Sequence, residues 1–164
     1  MIQYSTFKTP LGLMGAAQSK KGLTHIFFEK DVQDIKAALL HNFPLEQIER
    51  NKSALEPVEK QIEEYFLGKR MVFDLQLDLR MPPFYKKALL EVFKIPFGRT
   101  ATYKDIAERA GNEKAVRAVG SANANNPIPI VIPCHRVLAS GGGLGGYSAG
   151  LNKKVFLLEM EQAL

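Results

Sequence analysis

The first third of the chain alternates short apolar runs with turn signals. A Thr-Pro-Leu-Gly segment at residues 9–12 and a Lys-Lys-Gly segment at residues 20–22 separate three such runs. Alternation of apolar and polar residues predicts strands, and Pro and Gly between the runs predict tight turns. We therefore expect a small antiparallel meander. Its predicted strands cover residues 2–8, 13–18 and 23–29.

Apolar residues next recur at helical spacing. Residues 31–41 and residues 53–67 both carry apolar side chains three and four positions apart, which is the period of an amphipathic helix. Residues 72–77 return to a short apolar run and predict a further strand. We expect residues 1–78 to form an α/β domain, with helices packed on a small sheet.

From residue 82 the pattern becomes mostly helical. A helix is predicted over residues 84–93, and Thr102 is a natural N-cap for a second helix over residues 103–110. A third helix, over residues 115–124, follows a short turn that contains Gly111. Two short helices joined by such a turn are typical of a helix-turn-helix, although many helical hairpins bind nothing. The sequence predicts a second, mostly α domain over residues 79–164, with the helix-turn-helix at about 103–124.

The last forty or so residues contain two unusual segments before a final helix. Residues 128–133 are Ile and Val interrupted by Pro129 and Pro133, and because Pro disfavours a helix, we predict an extended stretch. Residues 140–150 hold six of the chain's 13 glycines, which indicates a loop that a ligand can approach closely. A terminal helix is predicted over residues 151–164, with Phe156 among the side chains available for burial.

Charge divides the chain in the same place as the helical pattern. Residues 1–78 carry 10 Lys/Arg and 11 Asp/Glu, a net charge of −1, whereas residues 79–164 carry 12 and 6, a net charge of +6. A basic half fits a polyanion such as double-stranded DNA. Charge alone leaves open that the basic side chains only form a solvated face.

Composition narrows the class of protein and its compartment. The chain has 46% hydrophobic and 24% charged residues, which is ordinary globular composition. No run approaches the roughly 18 apolar residues of a membrane span, and the N-terminus lacks the order of a signal peptide. We therefore expect no membrane partner and a cytoplasmic protein, or a nuclear one in a eukaryote.

The single cysteine, Cys134, limits the chemistry. It excludes an intramolecular disulfide and a zinc site built from several cysteines. Cys134 is followed by His135 and Arg136, and basic or cationic neighbours increase the thiolate fraction of a thiol. The alternative is a buried cysteine that acts as a small hydrophobe. Adjacent residues of an extended chain point in opposite directions, so a water is expected to bridge Cys134 and His135.

These motifs resemble the O6-alkylguanine-DNA alkyltransferases, also called methylated-DNA protein-cysteine methyltransferases. The resemblance is long and specific in the second half of the chain and looser in the first. The matching segments are Ile95-Pro96-Phe97-Gly98, Thr102-Tyr103, Ala115-Val116-Arg117-Ala118-Val119-Gly120, Asn126-Pro127-Ile128-Pro129-Ile130-Val131-Ile132-Pro133-Cys134-His135-Arg136-Val137, Gly145-Gly146-Tyr147, Leu157-Leu158-Glu159-Met160-Glu161, and, more loosely, Thr9-Pro10-Leu11-Gly12 and Gly22-Leu23-Thr24-His25-Ile26.

The resemblance implies a fold and an activity. The fold is a ribonuclease H-like α/β domain, a small sheet with helices, followed by a mostly α winged helix-turn-helix domain. The activity is DNA repair by direct reversal, in which a monomer moves the alkyl group of O6-alkylguanine, and also of O4-alkylthymine, irreversibly to its own cysteine. Since the alkylated base is itself the activated donor, no metal or organic cofactor is expected.

The resemblance also implies roles for catalytic residues. Cys134 is the nucleophile and alkyl acceptor, His135 the base that takes its proton through a water, and Glu161 the carboxylate that stabilises the resulting imidazolium. Tyr103 resembles the hydroxyl donor to the flipped guanine, and Lys154 supports departure of the base. Asn126 resembles the hinge between the helix-turn-helix and the active-site loop.

Further residues are implied in DNA binding and in the base pocket. Arg117 looks like the arginine that enters the stack when the damaged nucleotide rotates out, and small residues beside it let the helix approach the DNA backbone. The expected DNA contacts are Tyr103, Arg117, Ala118, Gly120, Ser121, Ala122, Asn123 and Arg136. The expected pocket residues are Pro129, Val137, Gly145, Tyr147 and Ser148.

Three departures and three alternatives accompany the resemblance. Asn123 and Ala124 stand where relatives often have larger or basic residues, Phe156 replaces a common tryptophan, and the N-terminal cysteines of zinc-binding relatives are missing.

The first alternative function is a binding-only protein that flips alkylguanine without reacting, and the presence of Cys134 argues against it. A transcription regulator gives no role to Cys134, His135 and Glu161. A cysteine hydrolase does not account for Arg117.

Overall fold

The chain folds as two compact units. The computed structural model describes residues 1–164, and they divide into Met1–Leu79 and Arg80–Leu164. None of the helices combines the length and the apolar character that crossing a bilayer needs.

A four-stranded mixed sheet forms the centre of the first unit. Its strands lie in the order β3-β2-β1-β4; the first three are antiparallel, as the predicted meander requires, and β4 runs parallel to β1. The strands are β1 (Ile2–Thr9), β2 (Gly12–Ser19), β3 (Gly22–Phe27) and β4 (Ile48–Arg50).

Three helices accompany this sheet. They are α1 (Glu29–Val32), α2 (Ile35–Asn42) and α3 (Lys52–Phe66). The single helix predicted over residues 31–41 is in fact two helices. Helix α3 packs on β1 and β2 and buries Leu55, Val58, Ile62 and Tyr65 at helical spacing.

The prediction of a strand over residues 72–77 is wrong. That segment is irregular, and Val72 is 76% exposed. Only its end meets the sheet, where the Leu23 N–H donates to the Gln76 carbonyl (2.9 Å) and the Asp78 N–H donates to the Leu23 carbonyl (2.8 Å). The fourth strand is β4 instead, whose three residues are too few and too polar for alternation to reveal.

The second unit is mostly helical. Helices α4, α5 and α6 pack on one another, and β5 pairs with β6 in a two-stranded parallel sheet. The elements in chain order are α4 (Pro83–Phe93), β5 (Ala101–Thr102), α5 (Tyr103–Arg109), α6 (Val116–Ala124), a 3-10 helix (Cys134–Arg136), β6 (Val137–Leu138) and α7 (Leu151–Met160).

The predicted pair of short helices is confirmed in α5 and α6. Thr102 caps α5: its hydroxyl accepts from the Asp105 N–H (3.0 Å), and the Asp105 carboxylate accepts from the Thr102 N–H (2.9 Å). This reciprocal pair satisfies two N–H groups that a helix start leaves without partners. Gly111, with φ of 89°, permits the turn after α5.

The prediction of an extended stretch over residues 128–133 is also wrong. The segment closes into a compact turn, in which the Ile132 N–H donates to the Ile128 carbonyl (2.9 Å) and Ile130 adopts a positive φ of 71°. Its apolar side chains are buried. Pro129 and Pro133 disfavour a helix but are compatible with a turn, and this turn leads directly into the 3-10 helix.

The terminal helix α7 is shorter than predicted and exposes one side chain that was expected to be available for burial. It ends at Met160, and Phe156, expected to be available for burial, is 40% exposed. The buried positions are Lys154, Leu157 and Leu158. A lysine therefore occupies the inner face of this helix, where its polar atom needs partners.

Candidate active site around Cys134

Cys134 is the first residue of the 3-10 helix and is almost fully buried. Only 3% of the residue is exposed, and the thiol is free. Its N–H donates to the Ile132 carbonyl (2.7 Å), so the turn at 128–133 fixes its position. Burial raises the pKa of the Cys134 thiol, although the Asn126 side chain and the Lys154 charge oppose this. The resting thiol is therefore protonated at neutral pH and needs a base to react.

One side chain spans the turn before Cys134. The Asn126 amide donates to the Ile132 carbonyl (2.9 Å) and accepts from the Ile128 N–H (3.0 Å). Both ends of the turn are thus bonded to the same amide. Asn126 directly follows the turn residue that ends α6, so it connects this helix to the cysteine turn.

The buried pair of His135 and Glu161 defines the tautomer of the imidazole. Its Nε2 lies 2.8 Å from the Glu161 Oε2, and neither side chain is exposed. Burial lowers the pKa of His135 and outweighs the carboxylate beside it, so the ring is neutral at neutral pH. Because a carboxylate only accepts, Nε2 carries the proton and Nδ1 has a free lone pair. Nδ1 has no hydrogen-bond partner in the protein, which is the state that a general base requires.

Arg136 completes the pairing of Glu161. Its Nε donates to Oε1 (2.8 Å), its Nη2 donates to Oε2 (3.0 Å), and its Nη1 donates to the Ile95 carbonyl (2.7 Å). Burial alone would raise the pKa of Glu161, but hydrogen bonds from His135 and Arg136 lower it to about 2. The expected DNA contact of Arg136 is therefore wrong for this structure: the residue is only 5% exposed and its guanidinium is bonded inside the unit.

Lys154 organises the glycine-rich loop. Its Nζ donates to the carbonyls of Val137 (2.7 Å), Leu144 (2.5 Å) and Gly146 (3.0 Å). Burial lowers the pKa of Lys154 to about 8, although the Cys134 charge opposes this. Since an ammonium has three N–H bonds, these carbonyls occupy all of them. In the structure Lys154 therefore positions the loop, and its expected support for the departing base stays a prediction.

Tyr103 lies under the same loop. Gly145 has φ of 72°, and a Cβ at this position would come within 2.9 Å of the Tyr103 hydroxyl oxygen, so glycine permits this close approach. Burial raises the pKa of Tyr103, while hydrogen bonds from the Gly146 backbone and the Asn123 side chain oppose the shift. The hydroxyl stays protonated at neutral pH and can donate a hydrogen bond.

The remaining expected pocket residues differ in exposure. Val137 and Pro129 are buried, so the side chain of Val137 packs inside the unit and its carbonyl is bonded to Lys154. Tyr147 is half-buried and Ser148 is exposed. The loop residues are therefore the ones that a bulky ligand can reach from outside.

Helix α6 presents only part of its expected DNA-binding surface. Arg117 is exposed, and Ala118, Gly120 and Ser121 are half-buried. The Ser121 hydroxyl also lies 2.7 Å from the Tyr85 hydroxyl of α4.

Two positions expected to contact DNA are buried. Ala122 has no exposed surface and Asn123 is only 6% exposed, so neither lies on the exposed face of α6 that carries Arg117, and their contacts with DNA stay a prediction. Together with Val119 they form the inner face of α6, because residues three and four apart share one face of a helix. The run of small residues conceals this period in the sequence.

Both units match known protein families. The profile described as "6-O-methylguanine DNA methyltransferase, ribonuclease-like domain" matches residues 2–79. The profile described as "6-O-methylguanine DNA methyltransferase, DNA binding domain" matches residues 83–163. The predicted fold, an α/β domain of the ribonuclease type followed by a DNA-binding domain, is thereby confirmed.

Full-length relatives carry the corresponding name. The chain is 42% identical over 161 residues to a methylated-DNA–protein-cysteine methyltransferase of Methanosarcina barkeri, which covers 98% of both chains. It is 36% identical over 163 residues to the protein of that name from Mycobacterium tuberculosis, which covers 99% of this chain and 94% of the other.

Solved structures agree with these relatives. The crystal structure of the Mycobacterium tuberculosis O6-methylguanine methyltransferase is 35% identical, with a TM-score of 0.86 and coverage of 99% of this chain and 94% of the other. A second structure, of the Mycobacterium tuberculosis OGT in complex with DNA, is 34% identical, with a TM-score of 0.83 and coverage of 98% and 93%.

Proposed function

The chain belongs to the 6-O-methylguanine DNA methyltransferase family, and we propose that it repairs duplex DNA by transferring the alkyl group of O6-alkylguanine to Cys134. One observation carries this proposal. A buried thiol and a buried neutral imidazole stand on the same 3-10 helix, and the imidazole has one nitrogen bonded to Glu161 and the other without a partner in the protein.

The proposed reaction is a displacement at the alkyl carbon. His135 Nδ1 accepts the Cys134 proton through a bridging water, and the thiolate sulfur attacks the carbon bound to guanine O6. The new S–C bond forms as the C–O6 bond breaks, and the electron pair of the C–O6 bond stays on the base. A proton taken up by the guanine anion, assisted by the Tyr103 hydroxyl, yields ordinary guanine.

Glu161 stabilises the imidazolium that forms after proton transfer. With a pKa of about 2, the carboxylate is ionised at any physiological pH, so its charge already faces Nε2 when His135 becomes positive. Arg136 holds both carboxylate oxygens and so fixes the orientation of Glu161. Asn126 and Lys154 act as positioning residues for the cysteine turn and the loop.

Extrusion of the damaged base explains the exposed Arg117 on α6. A base inside the stack is out of reach of a thiolate, and flipping it costs a few kcal/mol. A planar guanidinium can occupy the vacated space, and the half-buried Ala118 and Gly120 let the helix approach the backbone. The net charge of +6 in residues 79–164 supplies attraction to phosphates without sequence preference.

Several finer features follow from this chemistry. A thioether on Cys134 has no route to hydrolysis in the site, so one molecule repairs one lesion, and no cofactor takes part. O4-alkylthymine offers the same alkoxy carbon beside a ring nitrogen and is a second substrate. We infer a monomer that acts in the cytoplasm, or in the nucleus of a eukaryote, where its DNA substrate lies.

A labelling experiment separates transfer from binding alone. A duplex with a radiolabelled methyl group on guanine O6 is incubated with the protein and with Cys134→Ala. We expect one label per wild-type molecule, on Cys134, while Cys134→Ala binds the duplex without acquiring label. Label in solution, more than one equivalent per protein, or binding without transfer by the wild type would exclude the proposed reaction.

A further inference from the structure

Asn123 is a buried polar residue beside the thiol to which the mechanism above gives no role. It lies near the end of α6, on the same inner face as Val119 and Ala122, and is 6% exposed. An apolar side chain would be the usual occupant of such a position. An amide there needs an explanation, because burying one costs free energy unless its hydrogen bonds are made.

The amide makes its bonds through nitrogen and leaves its oxygen unpaired. Nδ2 donates to the carbonyl of Cys134 (3.2 Å), and the side chain also hydrogen-bonds the Tyr103 hydroxyl. Oδ1 is buried and has no partner in the protein. Exchanging the oxygen and nitrogen would place Oδ1 against the Cys134 carbonyl, two acceptors facing each other, so the neighbours fix which atom is the oxygen.

An unpaired buried acceptor is uncommon and costs about 1–3 kcal/mol. This one is built into the amide that joins the backbone of the nucleophile to the Tyr103 hydroxyl. Asn123 is thus one hydrogen bond away from the residue that carries the thiol. A base with a suitably placed N–H donor would remove the cost of the unpaired oxygen on binding.

The edge of O6-alkylguanine has one kind of donor. Alkylation removes the hydrogen from ring nitrogen N1, so N1 and the alkylated O6 can only accept, and the exocyclic 2-amino group supplies the N–H bonds. Thymine has an oxygen at the corresponding ring position and offers no donor there.

We propose that Asn123 is a specificity-determining residue whose Oδ1 accepts a hydrogen bond from the 2-amino group of the flipped guanine. This inference rests on the proposed function and adds to it the group of the base that is recognised. It makes guanine lesions better substrates than alkylated bases without an amino group at that position.

The test removes the amino group from the substrate and the amide from the protein. Single-turnover transfer rates are measured for two duplexes of the same sequence, one with O6-methylguanine and one with O6-methylhypoxanthine, which lacks the 2-amino group. For the wild type we expect O6-methylguanine to react about tenfold faster, the effect of roughly 1.4 kcal/mol. For Asn123→Leu, of similar size without an amide, we expect the ratio to fall close to one.

Matched variants distinguish this role from a structural one. Asn125→Leu is the same substitution two residues further along the chain, at the exposed residue that caps the end of α6, and we expect it to keep the wild-type ratio. Asn123→Met provides a second apolar replacement if Asn123→Leu does not fold. A wild-type ratio near one, or an unchanged ratio in a folded Asn123 variant, overturns the inference while leaving transfer to Cys134 intact. Absence of any transfer from O6-methylguanine to the wild type would instead overturn the proposed function.

Discussion

At the residue scale, the site depends on one carboxylate shared by two neighbours. Glu161 accepts from the imidazole of His135 and from two nitrogens of Arg136, with all three residues buried. A buried carboxylate is unfavourable when isolated, so these hydrogen bonds are what keep it ionised. The same pairing orients His135 and leaves its Nδ1 without a partner in the protein.

This pairing predicts an acid-sensitive contribution to stability. Glu161 has a pKa of about 2 in the folded protein, below its ordinary 4.5, so its stabilisation is present above pH 4.5 and is lost as the pH falls towards 2. We expect Glu161→Gln to lower the free energy of unfolding by about 3 kcal/mol at pH 7 and by clearly less near pH 2.5. Urea denaturation at both pH values measures this.

The exposed neighbour Glu159 provides the control. Glu159→Gln should change the free energy of unfolding by less than about 0.5 kcal/mol at both pH values. An equal destabilisation by Glu161→Gln at pH 7 and at pH 2.5 would show that its charge is not what the pairing stabilises.

At the element scale, the cysteine turn is held between α6 and the 3-10 helix, and the start of α5 is held by a capping box. The Thr102 and Asp105 side chains each bond the backbone N–H of the other. Because Tyr103 is the first residue of α5, the cap also fixes where the site hydroxyl leaves the backbone.

Removal of this cap should destabilise the second unit. We expect Thr102→Ala to lower the free energy of unfolding by about 1 kcal/mol, since an N–H at the helix start loses its acceptor. Lys104→Ala, a neighbouring exposed position in the same helix, should change it by less than about 0.5 kcal/mol. Thermal unfolding of both variants makes the comparison, and similar values for the two would remove the capping role of Thr102.

Elements with a hydrophobic pattern of their own were predictable from the sequence, whereas structure that depends on contacts between separate segments was not. Helical spacing located α3 and α4, and a single Thr before the first periodic residue located the start of α5. No local pattern indicates β4, because only pairing with β1 makes those residues a strand. The turn at residues 128–133 depends on Asn126 and on Ile130 with its positive φ, and the local run of Ile, Val and Pro indicates neither.

The residues of the site also differ in whether the sequence predicted them. Cys134, His135 and Glu161 were accessible through motif resemblance, and the structure places His135 and Glu161 in contact. The burial of Arg136 and Asn123 could not be predicted from the sequence. A charged or amide side chain in a basic region is normally expected to lie on the surface. For Asn123 the signal was the helical period of α6, which sets it on the face of Val119 and Ala122.

At the scale of the whole molecule, net charge and one exposed arginine predict how the protein meets DNA. Residues 79–164 carry the net positive charge, and Arg117 is exposed on α6. Phosphate attraction acts on any duplex, while insertion of a guanidinium matters only when a base must leave the stack.

Duplex and free substrates separate these two roles. We expect Arg117→Ala to slow methyl transfer from duplex DNA at least tenfold and to leave the reaction with free O6-benzylguanine nearly unchanged, since the free base needs no extrusion. Lys114→Ala removes a nearby exposed charge and should have a small, salt-dependent effect on duplex alone. Equal losses on both substrates would remove Arg117 from the flipping role.

Mass spectrometry of the protein after one reaction measures transfer most directly. The full chain is incubated with excess duplex containing O6-methylguanine, and the intact mass and the peptide containing Cys134 are determined. We predict a gain of one methyl group per molecule, located on the Cys134 sulfur, with the DNA restored to guanine. An unmodified Cys134 alongside repaired DNA, or a methyl group on any other residue, would contradict alkyl transfer to this thiol.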